Sequence, residues 1–225
     1  MREKLIYLLS AIVAILFVRN LFVILTVLPD EANQGAMYRI MFFHIPAWWT
    51  AGLALTLAGV TSGMYLATGK MKYDAISVSV TEVAVAFLCI GLSTGMIWAR
   101  IIWGIWWTWD YRLTSALICV LLYGGYLILR DAIDDPTKRA RISAAFNIFA
   151  FADVPIVWFS IKWWRTQHPQ PVVWGGGSMD PSMWNMLFLN WAPLLLLFMV
   201  LATVRMRQEK AQREIDALRR HAHAM

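Results

Sequence analysis

The side chains with the most evident chemical potential are two histidines that each adjoin a tryptophan pair. His44 begins the run His-Ile-Pro-Ala-Trp-Trp, and His168 ends the run Trp-Trp-Arg-Thr-Gln-His. Two imidazoles from different segments can ligate the iron of a flat ring from opposite faces. A single histidine at a membrane interface more often has only an amphipathic role, so the pair must be weighed together with its surroundings.

A tryptophan-rich segment supplies those surroundings. Residues 103–115 read Trp-Gly-Ile-Trp-Trp-Thr-Trp-Asp-Tyr-Arg-Leu-Thr-Ser, and the indoles in it offer broad apolar faces that suit a porphyrin. Haem propionates would need cations, and the same side of the membrane supplies several: Arg39, Arg100, Arg112, Lys162 and Arg165. Asp110 has two open roles: it caps the next helix and pairs with Arg112, or it fixes an indole N–H or a propionate-binding arginine. The four indoles of the segment belong to Trp103, Trp106, Trp107 and Trp109.

Membrane-spanning helices must position these residues. The chain is 60% hydrophobic and only 15% charged, and its apolar blocks are long enough to cross a hydrocarbon core about 30 Å thick. We therefore predict an all-α polytopic membrane protein with six transmembrane helices. This assignment puts His44 just outside the start of the second helix and leaves every span without a histidine. The predicted spans are 5–28, 48–68, 76–98, 113–129, 142–161 and 184–204.

The distribution of basic residues predicts the orientation. Fourteen of the 20 Lys and Arg residues lie on the side of the N-terminus, and five lie in the intervening loops 29–47, 99–112 and 162–183. By the positive-inside rule, the N- and C-termini are cytoplasmic and those loops face outward. Eleven of the thirteen tryptophans fall in or beside the outer loops, and Trp158 and Trp191 lie near outer helix ends, a one-sided distribution that a two-sided aromatic belt does not explain. The excess of Lys and Arg on the cytoplasmic side also accounts for the net charge of +6, so this charge does not require a nucleic-acid partner.

Three ionisable residues inside the predicted spans need partners, because a charge in the bilayer core is costly. Glu82 lies close enough to the cytoplasmic end to reach water, and Arg19 can extend toward the outer surface. Asp153 stands mid-span before Pro155. We interpret it as a polar contact within the bundle rather than a transport relay, since no second mid-span acid accompanies it.

The tryptophan-rich segment resembles the WWD signature of the haem-handling proteins of cytochrome c biogenesis. The continuation Arg112-Leu113-Thr114-Ser115 is similar to the six-helix haem exporter protein C (CcmC) branch rather than to the larger synthetase-type members. Gln34-Gly35, Tyr38-Arg39-Ile40 and His44-Ile45-Pro46-Ala47 resemble the first outer loop of that branch, and residues 163–168 resemble the third. The resemblance covers residues 29–205.

The resemblance implies a carrier and not an enzyme. It implies a multi-pass protein of the bacterial inner membrane that holds haem b at the periplasmic face, with His44 and His168 as axial ligands of the iron. It further implies delivery to the periplasmic haem chaperone CcmE, and association with an ATP-binding cassette of CcmA and CcmB and with CcmD. The expected haem-binding residues are the two histidines, Trp103, Trp106, Trp107, Trp109, Asp110 and Arg112. Asp153 departs from this resemblance, because the family usually has Asn there, and Arg19 is not expected either.

The residues leave two other classes of function to consider. A transmembrane cytochrome b would need histidines within the spans, where none is predicted. A lipid-linked sugar transferase could use Asp110 as a base or metal ligand, but it would want a second acid nearby, and the outer loops offer only Asp30, Glu31 and Asp180. We expect residues 1–225 to form one domain, with a tryptophan-rich loop near 99–112 and a short cytoplasmic tail at 205–225.

Overall fold

A computed structural model describes residues 3–168 and 179–223 of the protein. Six of its helical segments are long and apolar enough to cross a membrane, which confirms the predicted all-α polytopic fold. A π-helical turn (Val23–Val27) continues the first helix, a 3-10 turn (Ala36–Ile40) precedes the second, and α5 and α6 together make the fifth crossing. The helices are α1 (Glu3–Phe22), α2 (Met41–Thr68), α3 (Met71–Trp103), α4 (Tyr111–Asp131), α5 (Pro136–Phe151), α6 (Asp153–Trp163) and α7 (Pro181–His223).

The second helix begins earlier than the sequence predicts. The sequence predicts a membrane span from residue 48, with Pro46 in the first turn of its helix, yet α2 begins at Met41 and contains Pro46 in its interior. The prediction that His44 lies outside the helix is therefore wrong: His44 is a buried residue of α2. We call the end of the bundle where α2 begins and α3 ends the tryptophan-rich end.

A buried asparagine makes the interior proline of α2 tolerable. Pro46 has no N–H to donate to the carbonyl oxygen of Phe42, one turn earlier. The Asn190 side-chain amide of α7 donates to that oxygen instead, with 2.7 Å between Nδ2 and O. Since Phe42 and Pro46 bracket His44 in the sequence, α7 stabilises the turn of α2 that carries His44.

A second asparagine does the same for α7. Pro193 cannot donate to the carbonyl oxygen of Leu189, and Nδ2 of Asn20 in α1 donates to it at 2.8 Å. Asn20 and Asn190 are both 1% exposed, which places the two amides between α1, α2 and α7. Arg19, whose partner the sequence does not identify, donates to Oδ1 of Asn20 at 3.0 Å.

The fifth crossing breaks at residue 152, between α5 and α6. Pro155 cannot continue the hydrogen-bond pattern of α5, and Asp153 opens the next helix. The Asp153 side chain is buried beside Cys119 of α4, and its Oδ2 atom has no hydrogen-bond partner in the described chain. Asp153 thus lies at a contact between α4 and α6, within the bundle.

A network of ion pairs holds the opposite end of the bundle together. Asp74 at the start of α3 is 2% exposed and accepts two hydrogen bonds from Arg130 of α4, at 2.7 and 2.8 Å. Arg213 of α7 also pairs with Asp74 and lies 2.8 Å from a carboxylate oxygen of Glu209. Every charge in this cluster has an opposite partner, which is the condition for burying charges at acceptable cost.

The same network defines the C-terminal tail. The sequence predicts that Glu82 is solvated, but in the structure it forms an ion pair with Arg205 of α7. Arg205 in turn contacts Glu209, one turn later, at 3.1 Å. The tail from residue 205 is therefore a direct continuation of α7, which runs unbroken to His223.

Candidate functional site

A cavity of about 210 Å³ lies at the tryptophan-rich end, between α2, α3, α4 and α6. Most of its lining is aromatic or aliphatic, and its polar side chains include Gln34 and Arg112. Five of the eight predicted site residues line this cavity: His44, His168, Trp103, Trp107 and Arg112. The structure thus brings both histidines to one apolar space, although 124 positions separate them in the sequence.

The hydrogen bonds of His44 fix its tautomer. Nδ1 lies 2.9 Å from the carbonyl oxygen of Gly91 and 3.1 Å from Oγ1 of Thr94. A carbonyl oxygen can only accept, and the Thr94 hydroxyl donates its own hydrogen to the carbonyl oxygen of Ile90, 2.7 Å away. Nδ1 therefore carries the proton, and the lone pair on Nε2 is left for a ligand. A hydrogen bond of this kind, made by the ring nitrogen that does not bind the metal, orients the histidines that bind metals in proteins.

Two glycines of α3 make room for the cavity wall. A Cβ atom at Gly95 would lie 2.8 Å from Cε1 of His44, and one at Gly91 would lie 2.7 Å from Nε1 of Trp48. Only glycine therefore lets α2 and α3 approach closely enough at these two points. The sequence analysis missed both residues, but the spacing Gly91-x-x-x-Gly95 in an apolar helix was a signal that could have identified them.

The loop before α2 forms another part of the wall. Trp98 packs edge-to-face on His44 with 5.8 Å between ring centroids, and its Nε1 donates to Oε1 of Gln34 at 2.8 Å. The Glu31 carboxylate accepts from the backbone N–H groups of Gln34 and Asn33, at 2.7 and 2.9 Å. The bond from Gln34 lowers the pKa of Glu31 from its usual value. An ionised Glu31 thus shapes the turn that presents Gln34 to Trp98.

Asp110 lies at the start of α4, where it caps the helix as the sequence predicts and also makes contacts that the sequence does not predict. Its Oδ1 atom accepts from the backbone N–H of Leu113 at 2.8 Å, which makes it the predicted N-cap residue. Its Oδ2 atom accepts from the Thr166 hydroxyl at 2.6 Å and from the Gln167 N–H at 3.1 Å. Asp110 does not line the cavity, but it joins the start of α4 to the segment that carries His168.

Arg112 does not form the ion pair with Asp110 that the sequence suggested. Among the described residues, no oxygen of Asp110 lies within the 4.0 Å that defines a salt bridge to Arg112. Nη1 of Arg112 instead donates to the carbonyl oxygen of Val157 in α6. The guanidinium therefore borders the cavity from the α4 side, where it can meet an anionic group.

The four indoles of the tryptophan-rich segment divide into two pairs. Trp103 and Trp107 line the cavity and are partly buried. Trp106 and Trp109 do not line it and are 55% and 77% exposed, respectively. Trp109 packs edge-to-face on Trp107 with 5.8 Å between centroids, so Trp109 extends the aromatic surface outward from the cavity.

The position of His44 changes the argument against an electron-transfer protein, because one histidine does lie in a membrane-spanning helix. The only other helical histidine whose side chain the structure describes, His221, is exposed near the end of α7, so no second histidine is stacked beneath His44 in the described bundle. No group of three or more His, Cys, Asp or Glu side chains that could hold a metal ion occurs in residues 3–168 and 179–223.

Comparison with known proteins identifies relatives of the chain. It is 36% identical to the Heme exporter protein C of Bradyrhizobium diazoefficiens over 195 residues, which cover 84% of this chain and 73% of that protein. It is 33% identical to the Heme exporter protein C of Escherichia coli K12 over 181 residues, covering 80% and 73%. A putative cytochrome c biosynthesis ccmC-like mitochondrial protein of Marchantia polymorpha is 31% identical over 183 residues, covering 81% and 78%. The family model of CcmC, Heme exporter protein C, matches residues 1–221, and the chain therefore belongs to the heme exporter protein C family.

Proposed function

We propose that this protein binds haem in the cavity at the tryptophan-rich end and delivers it for the biogenesis of c-type cytochromes. Membership of the heme exporter protein C family supports a role as a transport and delivery component and not as an enzyme. The observation that carries the proposal is the arrangement of His44 and His168 in one indole-lined cavity, with Nε2 of His44 available as a ligand.

The residues of the cavity suit haem b as cargo. His44 and His168 are the proposed axial ligands of the iron, and neutral imidazole is a common ligand for it. Trp103 and Trp107 offer apolar faces to the porphyrin, while Arg112 offers a cation to a propionate. The close fit of Gly95 against His44 supports a preorganised ligand, because the ring cannot move toward α3.

The exposed indoles support a handover role. The cavity volume of about 210 Å³ lies below the roughly 300–1,000 Å³ of pockets that enclose a drug-sized ligand. A cargo larger than the cavity would remain partly accessible, next to the exposed Trp106 and Trp109. We propose that these two indoles contact the outer part of the haem or the protein that receives it. Asp110 does not line the cavity, and we propose that it acts through the neighbouring segment that carries His168.

The proposed location follows from the charge distribution. Positive residues on the side of the termini favour an orientation in which the tryptophan-rich end faces outward. The similarity to bacterial heme exporter proteins supports the inner membrane as the location, so that end would face the periplasm. The recipient would then be the periplasmic chaperone CcmE. The ATP-binding cassette of CcmA and CcmB, together with CcmD, would be the associated complex. Membrane lipids would surround the exposed apolar helix faces.

Spectroscopy of the detergent-purified protein tests the proposal. We expect wild-type protein to show a haem absorption spectrum of a six-coordinate iron with two imidazole ligands. His44→Ala and His168→Ala should each lower haem occupancy or convert the spectrum to that of a five-coordinate iron. His221→Ala, which changes an exposed histidine at the opposite end, is the matched control and should match the wild type.

Two results would count against the proposal. Wild-type protein that neither copurifies with haem nor binds added haem would contradict haem binding itself. Spectra of both histidine variants that match the wild type would remove the axial-ligand assignment. Delivery is tested separately, by coexpression with the chaperone and measurement of its covalently bound haem, which should fall in both variants.

A further inference from the structure

We infer that Asp110 is a positioning residue that fixes His168 relative to α4, and that this is why a carboxylate stands at the start of that helix. The inference rests on the proposed role of His168 as an iron ligand. It goes beyond the two roles suggested by the sequence: Asp110 does cap α4, but its second carboxylate oxygen is bonded to neither an indole nor an arginine. The partner is the segment that follows α6, residues 164–168.

A short chain of hydrogen bonds connects Asp110 to His168. The backbone N–H of His168 donates to Oγ1 of Thr166 at 3.1 Å, and that hydroxyl donates to Oδ2 of Asp110 at 2.6 Å. The Gln167 N–H reaches the same oxygen at 3.1 Å. Because the Thr166 hydroxyl accepts and donates at once, each bond polarises the next, and charge on the final acceptor strengthens the chain.

The chemistry of these bonds requires two acceptor oxygens. Oδ1 is used by the Leu113 N–H at the helix start, and Oδ2 is used by Thr166 and Gln167. An asparagine has only one carbonyl oxygen. It could cap α4 as well as aspartate does, but it would then turn an amide N–H₂ group toward the N–H of Gln167. Asp110→Asn therefore separates the capping role from the positioning role.

A stacking contact supports the same geometry. Tyr111, the first residue of α4, stacks on Trp164 with 5.0 Å between ring centroids and 21° between ring planes. Two neighbouring residues at the start of α4, the N-cap Asp110 and the first helical residue Tyr111, thus hold two parts of the 164–168 segment. The segment also offers an exposed arginine, Arg165, at which trypsin can cut.

Proteolysis of the haem-free protein measures the coupling directly. We expect Asp110→Asn and Thr166→Val to raise the rate of tryptic cleavage after Arg165, on the order of tenfold, because each removes bonds that hold the segment closed. Thr166→Ser keeps the hydroxyl and should cut at the wild-type rate. The matched control is Asp135→Asn at the start of α5, where the aspartate caps Lys138 N–H at 2.6 Å at the opposite end of the bundle.

Haem spectra of the same variants complete the test. Asp110→Asn and Thr166→Val should shift the spectrum toward that of His168→Ala, whereas Thr166→Ser and Asp135→Asn should retain the wild-type spectrum. Wild-type cleavage and spectra in Asp110→Asn would overturn the inference and leave Asp110 as a helix cap only. If His168→Ala itself does not change the spectrum, the proposed ligand fails, while the cleavage rates still decide whether Asp110 holds the segment.

Discussion

Gly95→Ala tests whether α3 sets the position of the proposed iron ligand His44. The added Cβ would lie 2.8 Å from Cε1 of the imidazole, and ordinary contact begins at 3.4 Å, so the ring must move by about 0.6 Å. The ring is bonded to Gly91 and Thr94 of the same helix at 2.9 and 3.1 Å. If the imidazole moved by this amount directly away from Thr94, the distance from Nδ1 to Oγ1 of Thr94 would increase to about 3.7 Å, which is too long for a hydrogen bond.

The free energies decide what this change affects. Loss of one such bond from a buried donor costs about 1–1.5 kcal/mol, which corresponds to roughly a tenfold loss in haem affinity if His44 ligates the iron. Overpacking costs about 1–3 kcal/mol of folding stability, but replacing a helical glycine by alanine returns about 1 kcal/mol. Haem binding should therefore fall clearly, while the remaining loss of about 0–2 kcal/mol in folding stability should lower the melting temperature by only a few degrees.

The assay is a haem titration of the detergent-purified protein, followed by absorption. Gly63→Ala and Gly124→Ala are matched controls, because a Cβ at either helical glycine meets nothing within 4 Å. Both should bind haem like the wild type and be slightly more stable. Wild-type affinity and an unchanged spectrum in Gly95→Ala would refute the reasoning that α3 holds His44 in place.

Two further predictions concern buried polar groups. Asn190→Asp keeps the side-chain shape but removes the N–H group that donates to the carbonyl oxygen of Phe42. The free energy of unfolding should therefore fall by about 1–3 kcal/mol, measured as a lower melting temperature in detergent. An unchanged melting temperature would show that this carbonyl oxygen needs no partner. Asp153→Asn replaces a buried carboxyl, one oxygen of which has no partner, by a neutral amide, and should raise the melting temperature without changing the haem spectrum. A lower melting temperature would contradict the expectation that a buried carboxyl group with an unpaired oxygen destabilises the bundle at this position.

The six crossings could be predicted from the sequence because they depend on local composition. A block of about twenty apolar residues has few alternatives to a spanning helix, whatever the rest of the chain does. The N-cap role of Asp110 was equally local, since an acid directly before a helix satisfies backbone N–H groups within three residues. The same reasoning identified His44 and His168 as a pair, because each lies beside two tryptophans.

The position of His44 could not be predicted, because it depends on a distant residue. Proline rules favour a helix that starts near Pro46, and they hold when the freed carbonyl has no other donor. Here Asn190 supplies that donor from 148 positions away from Phe42, and the helix continues backward past His44. Glu82 is a similar case: its partner Arg205 lies on α7, 123 positions away.

Each proposed ligand is held by one of the two helices that the tryptophan-rich segment connects. His44 is hydrogen-bonded to Gly91 and Thr94 in the second half of α3, and His168 is linked to the start of α4 through Asp110. The seven residues 104–110 between α3 and α4 begin with Gly104 in a left-handed conformation, φ +75°, which turns the chain away from α3. The distance between the two imidazoles therefore depends on how this segment spaces the two helices, in addition to the indole surface it contributes. The 104–110 segment therefore has two effects: it carries indoles, and it sets the distance between the two histidines. A change in its length should alter haem ligation even if every indole is kept.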